Sequence, residues 1–289
     1  ETFRAICSHA GLIGLVARER IGPEVERILL SAHPARGLML LKQTGLLALI
    51  LPEIQEGGDV VQGEHRADTV WEHTVRTVAG VRKDPVLRLA ALLHDVGKPR
   101  TLTVGEDGRR RFRGHEILGA EMSEAILRRL KFRRSTVKRV LHLIRHHLAL
   151  QQLYDPPAPG QARRGVPSDA AVRRLLARVG PETIRDLVEL HRANRAATGI
   201  GRGLRVDRAV WLLARVRRIM AGNPALRPQD LAIDGSDVQR ITGWSPGPAI
   251  GRVLHQVLDD VIQDPGLNHR DWLERRVVDL AAPQRAGEG

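Results

Sequence analysis

Residues 92–99 read LLHDVGKP, and they place an imidazole, His94, directly beside a carboxylate, Asp95. Burying that pair costs several kcal/mol unless a partner neutralises it. A divalent cation is one such partner; a plain His–Asp hydrogen bond capping a core helix is the other. The chain offers further donors in a regular order: His73 in DTVWEHT, His115 in GHE, His146 and His147 in LIRHHL, and Asn194 in HRANRA. Imidazole and carboxylate together suit manganese, iron, cobalt, nickel or zinc, with magnesium a further candidate. One or two ions are expected, and Asp95 could bridge them. Cys7 is the only cysteine, so a thiolate cage is excluded.

These donors need helices to carry them. Residues 85–96 (PVLRLAALLHDV) are apolar on nearly every side, which places the segment inside the protein. Gly97, Lys98 and Pro99 should stop that helix. Asp68 is the expected N-cap of the helix carrying His73, and His115 should open another, with Ile117 and Ala120 on its apolar face. A helix over 135–150 would bury Val137, Val140, Leu141, Ile144 and Leu148. On that wheel His147 flanks the buried stripe, while His146 points away and His142 lies on the outer side. Pro181 should open the helix bearing His191 and Asn194. Earlier, Pro23 suits a first helical turn, and Lys42 should lay its stem against the core beside Leu38 and Leu41. Between 100 and 113, RTLTV, GEDG and RRRFRG predict a small hairpin.

The chain is therefore expected to be all-α, with at most that one hairpin. Its division is expected at 1–62 (a helical neck), 63–200 (a metal-binding body) and 201–289 (a helical tail). His33 and His65 read as turn and loop residues. The segment 154–169 reads as a lid or hinge, GIGRG at 199–203 as a hinge, and the last residues as disordered.

At the His-Asp stretch the sequence resembles the HD-domain metal-dependent phosphohydrolases. More closely, it resembles the C-terminal half of bacterial tRNA nucleotidyltransferases and poly(A) polymerases. The resemblance extends to ILLSAHPARGLMLLKQTGLLALILPEI at 28–54, to 71–119, and to DLAIDGSDV and GWSPGPAIGRVL within 230–254. It implies metal ligation by His73, His94, Asp95, His115 and His147, and a phosphate contact from Lys98. Where the family has a late aspartate this chain has Asn194, an amide that brings no charge. The resemblance also implies that the opening residues follow a catalytic head domain, so the chain looks like a fragment or one half of a split enzyme. Gly235-Ser236 is followed by no Asp-x-Asp pair, so the chain alone should add no nucleotides.

The 289 residues carry a net charge of +13, and 41 of the 46 basic residues are arginine. Such a surface suits a polyanion, and arginine grips phosphate bidentately. RNA, in particular tRNA, is the expected partner, with Arg109, Arg111 and Arg113 of the hairpin and Arg215, Arg218 and Arg252 of the tail as phosphate contacts. At 3% aromatic residues, base stacking should be secondary. No apolar run is long enough to span a bilayer, and the chain reads as cytoplasmic. The leading expectation is a phosphohydrolase with Asp95 and Lys98 at its reacting centre, acting on phosphomonoesters or 2′,3′-cyclic phosphodiesters of RNA ends or small nucleotides. The alternatives are a non-catalytic tRNA-binding body serving a separate nucleotidyltransferase head, and a degenerate site kept as a core network.

Overall fold

A computed structural model describes residues 1–62, 68–154, 166–198 and 206–282, the last of these segments without side chains at 206 and 207. The expectations for His65, for GIGRG, for most of the 154–169 loop and for the chain end lie outside the described residues. The described residues are all-α, with helices α1 (Thr2–His9), α2 (Arg18–Leu29), α3 (Pro34–Gln43), α4 (Leu46–Ile50), α5 (Pro52–Gln55), α6 (Val70–Gly80), α7 (Pro85–Leu93), α8 (Lys98–Thr101), α9 (His115–Arg129), α10 (Arg134–His146), α11 (Ala149–Tyr154), α12 (Asp169–Val179), α13 (Ile184–Ala197), α14 (Val206–Ala221), α15 (Gly235–Thr242), α16 (Pro248–Gln263) and α17 (Arg270–Ala281). The expected hairpin pairs β1 (Thr103–Val104) antiparallel to β2 (Arg110–Arg111), with Thr103 opposite Arg111. Among the described residues an isolated bridge between Val61 and Thr69 adds a β contact not foreseen.

Two compact units form: residues 1–152 with 183–210, and residues 153–182 with 211–289. In the first, α6, α7, α9, α10 and α13 pack on one another, and α7 is its axis. Every residue from Val86 to Leu93 is buried, as a helix without a polar face requires. Asp84 caps α7 by accepting from the Leu87 N–H. Even Arg88 is buried, and its guanidinium donates to the carbonyls of Val81, Arg82 and Leu29. In the second unit, α15, α16 and α17 close over Val238, Val257, Val261, Leu273 and Val277, with α12 against α16.

Several local expectations need correction. The cap of α6 is Thr69, one residue later than Asp68, in a reciprocal capping box with Glu72; Asp68 instead pairs with Arg76 at 2.8 Å. Pro23 lies inside α2, which begins at Arg18. Gly97 does not stop a helix by left-handed geometry: its φ is −78°, and Lys98 and Pro99 open the short α8. The helix expected over 135–150 breaks after His146, so Leu141 and Leu148 are only half-buried while Leu143 is buried. Ile117 is exposed rather than on the apolar face of α9. Lys42 behaves as expected, with its ammonium 5.5 Å from the centre of the buried Trp71 ring.

The buried guanidinium of Arg88 gives the first test. Arg88→Met keeps the apolar stem but removes the donor from the Val81, Arg82 and Leu29 carbonyls. A loss of about 2–4 kcal/mol is expected, read as a lower urea midpoint at unchanged slope. An unchanged midpoint would show that these carbonyls do not depend on it.

Candidate metal centre

His73, His94, Asp95, His115 and His147 arrive from four places in the chain and meet in the interior of the first unit. Each is at most 6% exposed. His73 lies on α6, about one turn from its Thr69 cap. His94 and Asp95 form the turn that ends α7. His115 is the first residue of α9, which Gly114, in the left-handed region at φ +76°, launches in that direction. His147 is the residue at which α10 ends. Gly97 secures the closeness of these parts: a Cβ there would lie 2.5 Å from the His115 carbonyl oxygen and 2.8 Å from the Gly119 nitrogen. The glycine of the motif serves the approach of α9, a role the sequence reading mistook for a helix stop.

The proton positions on three rings follow from their hydrogen bonds. Nδ1 lies 2.9 Å from the Ala91 carbonyl in His94, 2.6 Å from Phe112 O in His115 and 2.7 Å from Ile144 O in His147. A carbonyl only accepts, so each Nδ1 carries a proton and, in the neutral ring, each Nε2 presents a lone pair. Backbone carbonyls holding Nδ1–H in this way are a common support for metal-binding histidines. The three Nε2 atoms point to Asp95. Its Oδ2 faces His94 at 3.1 Å and His73 at 3.5 Å, and its Oδ1 faces His115 at 3.4 Å and His147 at 3.9 Å. Lys98 donates to Oδ2 at 2.7 Å and to Gln62 Oε1 at 2.8 Å.

Nε2 of His115 and Nε2 of His147 are 3.2 Å apart. Two lone pairs facing each other repel unless a proton or a metal ion lies between them. A single proton could serve that pair, but His94 Nε2 and Asp95 Oδ1 are also buried without a hydrogen-bond partner. More acceptor sites converge than one proton can satisfy, and the donor set fits a divalent ion. The donors form two groups, His73–His94–Asp95 and Asp95–His115–His147, each with its ligand atoms within 4.8 Å of one another. Asp95 is common to both, the arrangement a bridging carboxylate would have.

Burial pushes His73 and His147 down to about 3; for His73 the nearby Asp95 opposes this, and for His147 the neighbouring His94 reinforces it. Burial alone would raise Asp95, yet His94 and Lys98 hold it well below the usual carboxylate range. Neutral rings at His73 and His147 beside an ionised Asp95 are protonation states that suit a metal.

The remaining expected residues divide. His146 turns from the cluster and meets His142 edge to face, with ring centres 4.6 Å apart. Asn194 is half-buried on α13, which packs against α6; the polar contacts of the cluster run among its own members, Thr77, Lys98 and backbone carbonyls. His191 is buried on the same helix. Arg109 and Arg113 are exposed, while Arg111 pairs with Asp107 at 2.8 Å. In the second unit Arg252 is exposed, but Arg215 and Arg218 both bind Asp169. Sequence reading missed Gln62 and Phe112. Phe112 lies with its ring centre 5.5 Å from the Lys98 ammonium and lends its carbonyl to His115. Nothing in the linear pattern pointed to either.

Comparison with known proteins agrees with this geometry. Residues 70–188 match the HD domain, and residues 1–57 match the family described as "Probable RNA and SrmB- binding site of polymerase A". The A-adding tRNA nucleotidyltransferase of Deinococcus radiodurans is 35% identical over 258 residues, covering 86% of this chain and 56% of that protein. The CC-adding tRNA nucleotidyltransferase of Thermus thermophilus is 36% identical over 271 residues, covering 90% and 57%. The multifunctional CCA protein of Cupriavidus metallidurans is 32% identical over 143 residues, 48% of this chain and 34% of that protein. The chain thus spans somewhat more than half the length of the first two. Among the described residues no helix is long and apolar enough to cross a membrane.

Two outcomes follow. Manganese or nickel added to metal-free protein should raise its melting temperature by several degrees, and His115→Ala with His147→Ala should abolish the rise; an equal rise in the double variant would place the ion elsewhere. Without metal, stability should fall as pH drops from about 6.5 toward 3. In that window the unfolded chain takes up protons that folded His73 and His147 refuse, each costing up to about 1.4 kcal/mol per pH unit. Urea midpoints in EDTA that stay flat from pH 7 to 4 would contradict the buried neutral rings.

Proposed function

This chain is an HD-domain-bearing homologue of the tRNA nucleotidyltransferases, and on that premise we propose that its His–Asp cluster is a metal-dependent phosphohydrolase centre. The substrate class is phosphomonoesters or 2′,3′-cyclic phosphodiesters, at RNA ends or on small nucleotides. The observation that carries the reading is the 3.2 Å approach of the His115 and His147 Nε2 atoms beside the buried Asp95 carboxylate. A divalent ion bound there supplies Lewis-acid polarisation of a phosphoryl oxygen. The chain's own residues do the rest. The backbone carbonyls at 91, 112 and 144 orient three imidazoles, and Asp95 balances their charge. Lys98, with its side chain still 16% exposed, can exchange its Asp95 contact for a phosphate oxygen and neutralise charge there. Gln62 and the Phe112 ring keep the ammonium at that edge. Asn194, at the position where the family has its late aspartate, would bring an amide without charge to that set, so occupancy and turnover should gain from Asn194→Asp.

A second reading, an RNA-binding body, draws on the match of residues 1–57 and on the charge of +13. Arg109, Arg113 and Arg252 would contribute from exposed positions, whereas Arg111, Arg215 and Arg218 must first leave their aspartates. The tail from 201 onward would share in that grip. The same reading gives the chain a nucleotidyltransferase head as partner. Helix α1 buries none of its residues, and Phe3, Ile6, Leu12 and Leu15 are exposed, an apolar surface of the kind that marks an interaction site.

With manganese or nickel, the protein should hydrolyse bis-p-nitrophenyl phosphate. His94→Ala with Asp95→Ala should reduce turnover at least 100-fold, and Asn194→Asp should increase it. Equal turnover in the double variant would remove the enzyme reading. Binding to tRNA should weaken steeply with salt; salt-independent binding would remove the arginine argument.

A further inference from the structure

Between α9 and α10 the first unit has an open groove of about 680 Å³ that the metal centre does not use. Its floor is apolar: Val137 is buried, and Phe132 and Leu141 are half-buried with their remaining surface available to a ligand. Its rim is cationic. The single acidic side chain lining it, Glu124, accepts from Arg128 at 2.5 Å and is thereby neutralised. Arg134 and Lys138 stand one turn apart on α10, both exposed, and no described acid pairs with either. The volume falls within the range of small-ligand sites. Lys138 is about 14 Å along the helical path from His147, so the groove and the cluster are separate places on one rigid element.

We propose that this groove binds one or two nucleotides of single-stranded RNA, a base against Phe132 and the adjoining phosphates on Arg134 and Lys138. An aromatic face beside uncompensated cations is the combination that single-stranded nucleic acid takes, and a purely apolar or acidic ligand would leave one half of it unmatched. The proposal rests on the RNA reading above and gives it a location: an unpaired segment of a bound RNA would be held on the same helix that ends at the metal centre.

The test uses the intact chain with manganese present and a fluorescein-labelled oligouridylate, measured by anisotropy across a salt series. Phe132→Leu should weaken binding roughly 5- to 100-fold without changing the salt slope, and Phe132→Trp should restore it. Arg134→Ser with Lys138→Ser should lower the slope of log affinity against log salt by about 1.4, two phosphate contacts on a single strand. Melting temperatures close to wild type in all variants show that folding is not the cause. A wild type that binds no oligonucleotide overturns the RNA reading and this site with it. Wild-type binding that persists unchanged in both the Leu and the double Ser variants overturns the groove alone. Uridine monophosphate binding lost in the variants while the oligonucleotide still binds would overturn the RNA assignment of the groove.

Discussion

The structure depends on keeping one carboxylate, Asp95, inside the protein. It is 1% exposed and ringed by four imidazoles, each almost as deeply placed. An isolated buried charge is among the most costly features a fold can carry, and most of the first unit can be read as an answer to it. Lys98 neutralises one oxygen from the solvent edge. Backbone carbonyls fix three rings so that their lone pairs face inward, which is unfavourable without a cation among them. The local arrangement is poised for a positive charge, and a divalent ion satisfies more of its donors than a proton does.

That arrangement sets demands on the scaffold. The apolar helix α7 anchors His94 and Asp95 at its end, where the chain leaves the core. Helix α9 must begin at His115 and run close enough to touch the turn after Asp95, which only a residue without a side chain at 97 permits. Helix α10 must end at His147, because the Nδ1–H of that ring is held by the carbonyl one turn earlier. His94, His115 and His147 thus sit at element termini, where backbone carbonyls are free to orient a ring. Only His73 lies within a helix, and its ring is the one whose proton position no carbonyl fixes.

Much of this was legible in the sequence, and the reason is periodicity. The all-round apolar character of 85–93 announced a buried helix, and the wheel of α10 separated His147 from His146, which meets His142 edge to face instead. The single hairpin was readable from its turn residues. What escaped was set by tertiary contact. Whether Gly97 ends a helix or admits a neighbouring backbone depends on α9, eighteen residues later. Ile117 looked like a core residue by spacing yet is exposed, since α9 turns that part of its face to solvent. Arg215 and Arg218 looked like phosphate contacts by charge, and the fold gives both to Asp169, some fifty residues away. Gln62 has no chemical signature at all until Val60–Gln62 pairs with Asp68–Val70 and brings it to Lys98.

Anomalous X-ray scattering from crystals grown with manganese or cobalt is the most direct test of the central claim. A peak is expected within bonding distance of Asp95 and of the Nε2 atoms of His115 and His147, with a second position beside Asp95, His73 and His94. An ordered crystal showing no anomalous density at Asp95, with its carboxylate satisfied by Lys98 and protonated imidazoles alone, would mean that the cluster is a core network and not a metal centre.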